Sequence, residues 1–120
     1  MSNKKILVID DEQHIRDSLG FMLEKMGYTV RTEEDSTKVL GILEEEQFDI
    51  IVSDVTMPKL NGHELTRQLK QKFPDINVIL ISGFRDDDID EQFNNDTSRP
   101  NRYLTKPFSM NDLIGCIKSI

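Results

Sequence analysis

Cysteine is nearly absent from this 120-residue sequence, which contains only Cys116. A single cysteine cannot form a disulfide bond within the chain, and this scarcity is typical of proteins in a reducing compartment. Cys116 lies between Ile114 and Ile117 in a helical pattern, which favours a packing role over a reactive thiol. The sequence therefore excludes a fold held together by internal disulfide bonds.

Long hydrophobic runs are also missing. The first apolar run, residues 6–9, ends at two aspartates and is too short for a signal-peptide core or a membrane span. We therefore expect a cytoplasmic protein that does not associate with membranes.

Positive charge is scarce, because 15 Lys and Arg residues stand against 22 Asp and Glu residues, for a net charge of −7. Affinity for nucleic acid depends mainly on Lys and Arg side chains that neutralise phosphates. We therefore expect no direct nucleic-acid binding by this chain. A basic or metal-bearing partner suits its charge better.

What the sequence does contain is an alternation of short apolar runs with segments whose apolar residues recur every three or four positions. This alternation is typical of repeated βα units in an α/β fold. Five units fit in the chain, and its length predicts one domain over residues 1–120. The predicted strands are residues 5–9, 28–32, 50–53, 77–81 and 102–105.

The segments between the predicted strands carry helix signals. The first helix should bury one stripe and stop at Gly27; the stripe consists of Ile15, Leu19, Met22, Leu23 and Met26. Ser36 is predicted to cap the second helix and Ser109 the last one. Residues 85–101 are rich in Asp and Asn, so any fourth helix there should be short and held by few contacts.

Four of the predicted strands end at polar residues suited to phosphoryl chemistry. Asp10 and Asp11 follow the first strand, Asp54 the third, Ser82 the fourth and Lys106 the fifth. In open α/β sheets, ligands bind outside the carboxyl ends of the strands. We therefore expect these side chains to share one pocket.

Three carboxylates at one edge repel one another. At about 4 Å and an effective dielectric constant near 20, each pair costs on the order of 4 kcal/mol, so the cluster needs a cation or protons. Mg²⁺ suits this cluster because it is a hard ion that takes a few oxygen ligands, keeps several waters and bridges to phosphate. The predicted cofactor is Mg²⁺, or Mn²⁺ in its place.

These residues also have the properties that phosphoryl transfer requires, which are chiefly positioning and charge neutralisation. Asp54 would be the nucleophile and form an aspartyl phosphate. Lys106 would supply a cation and Ser82 a hydroxyl donor to the phosphoryl oxygens. Each residue alone would more often be a turn former, a strand-end residue or a surface charge, but their joint placement at four strand ends favours the functional interpretation.

With these residues in place, the sequence resembles the receiver domains of two-component response regulators. The matching motifs are Asp10-Asp11-Glu12, residues 54–58 with Gly62 further on, Ser82-Gly83, and residues 103–108. The resemblance covers essentially the whole chain. It implies a flavodoxin-like (βα)5 three-layer sandwich with a parallel five-stranded sheet of order 2-1-3-4-5.

The resemblance also implies roles for individual residues. Asp54 would accept a phosphoryl group from a histidine of a sensor kinase, from a phosphotransfer protein or from a small phosphodonor. Asp11, Asp54 and the Thr56 backbone carbonyl would hold Mg²⁺, with Asp10 acting through a metal-bound water. Such a module is a phosphoacceptor rather than an enzyme, since it would catalyse only its own phosphorylation and dephosphorylation.

Signal output would follow from the family's switch pair, which Ser82 and Tyr103 match. The hydroxyl would move toward the phosphoryl group and the aromatic ring would turn inward; the alternative for Tyr103 is a half-buried strand aromatic. Family members commonly have small residues and a Gly-Ala pair before the fifth strand, whereas residues 93–101 are rich in Asn and Asp. We therefore expect an atypical output partner, and a phosphorylation-dependent dimer would use the face between the fourth and fifth helices.

Two residues are candidates for setting the lifetime of the phosphoryl group. Thr56 and Phe84 each stand two positions beyond a predicted site residue, Asp54 and Ser82 respectively. A bulky Phe84 would exclude the attacking water. The alternative is a surface aromatic packed on its own loop.

Two other classes of protein fit this sequence less well. A Mg²⁺-dependent phosphatase of the haloacid dehalogenase type needs a second acid two residues after its nucleophile, and Thr56 occupies that place. A flavin or nucleotide binder needs a Gly- or Ser/Thr-rich loop after the first strand, and this loop is acidic. Neither His14 nor His63 has a second histidine at the spacing of metal ligands, so we expect solvated or packing roles for both rather than a metal site.

Overall fold

The computed structural model describes residues 4–83 and 99–120. Five parallel strands form one sheet in the order β2-β1-β3-β4-β5, which confirms the predicted flavodoxin-like topology. The strands are β1 (Lys5–Ile9), β2 (Thr29–Glu33), β3 (Ile50–Asp54), β4 (Asn77–Ser82) and β5 (Arg102–Thr105). Strands β1, β3 and β4 are buried almost throughout, as expected where helices cover both faces of a parallel sheet.

Helices pack on both faces of the sheet. They are α1 (Gln13–Lys25), α2 (Val39–Glu45) after a short 3₁₀ turn, α3 (Gly62–Lys72) and a C-terminal helix (Met110–Lys118). Side chains of β1 alternate between two cores: Leu7 and Ile9 pack with α2 and α3, whereas Ile6 and Val8 pack with α1 and the C-terminal helix. No helix within the described residues is long and apolar enough to cross a bilayer.

The prediction that Ser36 caps the second helix was wrong. Asp35 caps the 3₁₀ turn (Ser36–Lys38) before α2, since its carboxylate accepts a hydrogen bond from the Thr37 N–H at 2.9 Å, and α2 itself begins without a side-chain cap. The Ser36 side chain is buried, and its hydroxyl instead donates to the Leu60 carbonyl at 2.6 Å. A buried hydroxyl needs a partner, and here the partner lies in the loop before α3.

The predicted apolar stripe of α1 was too wide. Leu19 and Leu23 are buried, but Met22 and Met26 are 40% and 54% exposed. Only the side of α1 that faces the sheet and the C-terminal helix is covered, so part of the sequence stripe faces solvent. The helix does end before Gly27, which adopts a left-handed φ of 97°.

The remaining boundaries agree with the predictions to within one or two residues. Strand β2 starts one residue later than predicted, and β3 and β4 each extend one residue further. Ser109 caps the C-terminal helix as predicted: its hydroxyl accepts a hydrogen bond from the Asp112 N–H at 3.1 Å. Most of the predicted short fourth helix lies outside the described residues.

Candidate functional site

The sheet register brings the predicted strand-end residues together. Strands β1 and β3 are paired so that Ile9 lies opposite Ser53, and the residues that follow, Asp10 and Asp54, therefore emerge side by side. Strand β5 ends one residue before Lys106 on the same carboxyl edge. Residues from separate parts of the sequence thus meet because the strands are parallel and in register.

An ion pair between Asp54 and Lys106 lies at the centre of the site. The Lys106 Nζ donates to Asp54 Oδ2 at 2.8 Å, and the Thr56 N–H donates to Asp54 Oδ1 at 3.0 Å. The Asp54 residue is only 7% exposed. The hydrogen bond to Asp54, followed by the negative charges of Asp54 and Asp10, raises the pKa of Lys106. Lys106 therefore stays positively charged beside the buried carboxylate.

Backbone pairing positions both Lys106 and Ser82. The Lys106 N–H donates to the Ser82 carbonyl at 2.8 Å, which continues the pairing of β4 with β5, and the Lys106–Pro107 peptide bond is cis. Ser82 is the last residue of β4, one position beyond the residue that pairs with Asp54, and it is 1% exposed. The predicted hydroxyl and ammonium groups thus belong to adjacent strand ends.

Asp10 is a buried acid whose pKa lies above its ordinary value. It is 3% exposed, and its Oδ1 accepts a hydrogen bond from the Glu12 N–H at 2.9 Å. Burial raises the pKa of Asp10 to about 6, and the negative charges of Asp54 and Asp11 contribute in the same direction. Asp11, by contrast, is exposed. This edge thus places three acidic side chains beside the ammonium group of Lys106.

The donor atoms fit a hard divalent cation. The carboxylates of Asp11 and Asp54 and the carbonyl of Thr56 are oxygen donors of the kind that Mg²⁺ prefers, and a cation beside them would also offset the repulsion that Asp54 and Asp11 exert on buried Asp10. Within residues 4–83 and 99–120, no group of three or more His, Cys, Asp or Glu side chains forms a ready metal cage. Mg²⁺ does not require one, because it commonly uses one or two carboxylates together with waters and phosphate oxygens.

The loop after Asp54 folds back tightly onto the end of β3. A Cβ atom at Gly62 would lie 2.5 Å from the Asp54 carbonyl oxygen and 2.9 Å from Val55 Cα, so only glycine fits. Lys59 adopts a left-handed φ of 69°, which is uncommon for a residue other than glycine. Its ammonium lies 3.2 Å from Asp35 Oδ2. Thr56 is exposed on this loop.

The other candidate residues lie as follows. Tyr103 is half-buried and packs against the core formed with α2 and α3. His14 is exposed, His63 is half-buried, and Cys116 packs against the core formed with α1 and the C-terminal helix. Burial raises the pKa of the Cys116 thiol, as expected for a packing role. Phe84 lies outside the described residues.

Sequence reasoning missed Arg16. Its Nη1 donates to the Asp10 carbonyl at 2.8 Å. Arg16 therefore stabilises the backbone of the turn that carries Asp10 and Asp11. A contact to a backbone carbonyl leaves no pattern in the sequence beyond a charged residue in the first turn of a helix.

An apolar cavity of about 480 Å³ opens between α1 and the start of the last loop. Asp10 and Lys106 line it together with Ile15 and Phe108. A larger cavity of about 730 Å³ lies at the opposite end of the sheet and contains none of the predicted site residues. The smaller cavity is therefore the one that adjoins the candidate site.

Comparison with known proteins identifies the family. Residues 6–118 match the model for response regulator receiver domains. The chain belongs to this family. Receiver domains are modules of two-component systems whose signalling depends on phosphorylation, and they are not enzymes in the usual sense.

Individual relatives agree with this assignment. The transcriptional regulatory protein PhoP for alkaline phosphatase synthesis, from Bacillus subtilis (strain 168), is 40% identical over an alignment 121 residues long that covers 98% of this chain. The chain spans only 48% of the length of that protein.

Two solved structures are similar over nearly the whole chain. A response regulator receiver domain from Clostridium thermocellum has a TM-score of 0.87 at 36% identity, covering 97% of this chain and 92% of that one. The response regulator TrrA from Thermotoga maritima, solved in complex with Mg²⁺-BeF, has a TM-score of 0.82 at 28% identity, covering 97% of each chain. Magnesium binding is thus seen within the family.

Proposed function

We propose that Asp54 is the phosphoacceptor of this receiver domain. The observation that carries the proposal is the 2.8 Å contact between Asp54 Oδ2 and Lys106 Nζ. It joins a buried carboxylate at the end of the central strand to a cation 52 residues away in the sequence. An acid held in this way has a defined direction of attack and a cation ready for the incoming charge.

The neighbouring groups match the charge change of the reaction. A phosphoryl group adds about −1.5 to −2 units of charge. The Lys106 ammonium and the Ser82 hydroxyl would then take the phosphoryl oxygens, because both lie at the strand ends next to Asp54. The raised pKa of Lys106 keeps it a cation throughout. Asp54 would attack the phosphorus and the donor would leave with its bonding electrons.

Mg²⁺, or Mn²⁺ in its place, is the proposed cofactor. Asp11, Asp54 and the Thr56 carbonyl would hold it, with Asp10 acting through a bound water. When bound, the ion would shield the acids from one another and neutralise part of the phosphoryl charge. Removing divalent ions with a chelator is therefore expected to stop phosphorylation.

The donor is proposed to be the phosphohistidine of a sensor kinase or phosphotransfer protein, or a small acyl phosphate. The cavity lined by Asp10, Lys106 and Phe108 offers a route from the surface to the site. Output would follow from a population shift in which the phosphorylated state draws Ser82 toward the phosphoryl group and turns Tyr103 further inward. The output partner, and a phosphorylation-dependent dimer through the face between the fourth and fifth helices, remain predictions.

Intact mass spectrometry tests the proposal. Incubation of the parent with acetyl phosphate and Mg²⁺ should add one phosphoryl group per chain, and Asp54→Asn should remain unmodified. Asp49→Asn is the matched control, because Asp49 is an exposed aspartate at the other end of β3; it should be labelled like the parent. Equal labelling of Asp54→Asn and the parent would refute the proposal.

The same samples separate the receiver from a phosphatase. A phosphatase would hydrolyse a phosphoester substrate over many turnovers, whereas a receiver should take up no more than one phosphoryl group per chain. The structure favours the second outcome because the exposed Thr56 stands where the phosphatase chemistry needs a second acid.

A further inference from the structure

All three polar groups of Asp10 accept or donate a hydrogen bond. Its N–H donates to the Glu33 carbonyl at 3.2 Å, its Oδ1 accepts from the Glu12 N–H at 2.9 Å, and its carbonyl accepts from Arg16 Nη1 at 2.8 Å. The first two partners are backbone groups, whereas the third is a side chain. Of these three contacts, only the one made by Arg16 can be removed by substituting the partner residue.

The Arg16 side chain is held in place by burial and by a second contact. It is 13% exposed, and its Nη2 lies 3.9 Å from Glu34 Oε2, just beyond the end of β2. A mostly buried guanidinium is costly unless it has hydrogen-bond partners, and bonds from a charged donor are stronger than neutral ones. Arg16 thus connects the first turn of α1 to the turn that carries Asp10 and Asp11.

We propose that Arg16 is a positioning residue that fixes the Asp10–Asp11 turn and thereby holds the Asp11 carboxylate where the divalent ion binds. The inference rests on the proposed function. The orientation of the peptide group between Asp10 and Asp11 decides where the Asp11 side chain points, and Arg16 holds the carbonyl of that peptide group. Groups that orient metal ligands typically change metal affinity by about 10- to 100-fold.

The sign of the effect distinguishes positioning from electrostatics. Arg16 is a cation close to the proposed cation site, so its charge alone would oppose Mg²⁺ binding. Removing that charge would then tighten binding. A positioning role predicts the opposite, because a loosened turn loses Mg²⁺ affinity even though one repulsive charge has gone.

Titration calorimetry with Mg²⁺ on the parent, Arg16→Met, Arg16→Lys and Arg31→Met tests this inference. Arg31→Met is the matched control: Arg31 is 47% exposed, and it forms an ion pair with Glu46 on another part of the surface. We expect Arg16→Met to bind Mg²⁺ about tenfold more weakly. Arg16→Lys should lie between Arg16→Met and the parent, and Arg31→Met should match the parent.

Thermal unfolding in chelator checks that each variant is folded. Parental or tighter Mg²⁺ binding by folded Arg16→Met overturns the inference. If Arg16→Met does not fold, Arg16→Lys decides, since it keeps the charge but not the planar guanidinium: weaker binding supports positioning and parental binding refutes it. A parent that binds no Mg²⁺ refutes the proposed cofactor, and the inference with it.

Discussion

At the scale of single residues, two acids of the site, Asp54 and Asp10, differ in the partners of their carboxylates. Asp54 has Lys106 as a partner, whereas the carboxylate of buried Asp10 accepts only the Glu12 N–H among the hydrogen bonds recorded for the described residues. Burial raises the pKa of Asp10 to about 6. Asp10 thus costs stability when ionised, and a divalent cation would offset that cost.

Asp10→Asn should stabilise the metal-free protein at neutral pH. Because the folded pKa of Asp10 is above its unfolded value, its contribution to stability is complete below about pH 4 and is lost as the pH rises through 6. In chelator, we expect the variant to gain roughly 1–3 kcal/mol at pH 7 to 8 and almost nothing at pH 4. Urea unfolding at several pH values measures this.

Asp17→Asn, on the exposed side of α1, is the control for Asp10→Asn. It also removes one negative charge, but from the surface, and it should leave the free energy of unfolding within about 0.5 kcal/mol of the parent. An Asp10→Asn variant that is no more stable than the parent at pH 8 would show that the acid is already compensated.

Gly62→Ala should destabilise the fold. The added methyl group would meet the backbone of Asp54 and Val55, and neither can move without disturbing the site. Overpacking of this kind costs about 1–3 kcal/mol. Gly41→Ala is a control of opposite sign, since its Cβ would have no neighbour within 4 Å and alanine favours the helix by up to about 1 kcal/mol. Equal midpoints for both variants in urea unfolding would contradict the tight approach at Gly62.

At the scale of elements, the strands were easier to predict than the details of the helices. A continuous apolar run such as residues 6–9 is typical of a strand buried on both faces of a parallel sheet, so its position and limits could be predicted from the sequence. The capping role of Asp35 at the 3₁₀ turn before α2 was missed because Asp35 and Ser36 are both good capping residues, and the contact of Ser36 with Leu60 decides between them. Sequence alone cannot show a partner 24 residues away.

Helix α1 illustrates the same limit and gives a prediction. Leu23 is fully buried and Met22 is 40% exposed, although both belong to the apolar stripe of the sequence. Leu23→Ala should cost about 2–5 kcal/mol, whereas Met22→Ala should change stability by no more than about 0.5 kcal/mol. Chemical unfolding of the two variants measures the difference, and similar losses would mean that Met22 is covered in solution.

At the scale of the whole molecule, the site exists only because the sheet gathers distant residues at one edge. Three aspartates, Ser82 and Lys106 were predicted from strand ends, since parallel strands in register share a carboxyl edge. The support from Arg16 was not predictable, because it acts through a backbone carbonyl. The net charge of −7 is a property of the whole molecule, and it favours the binding of a divalent cation.

Mapping of the phosphorylated carboxyl group is the most direct test of the account. After labelling with acetyl phosphate and Mg²⁺, borohydride reduction converts an aspartyl phosphate into a stable homoserine residue, and trypsin then yields a peptide of residues 39–59 with Asp49 and Asp54 as its only aspartates. The account predicts that the change lies at Asp54 in this peptide. Modification at Asp49, or in the peptide of residues 6–16 that contains Asp10 and Asp11, would contradict it.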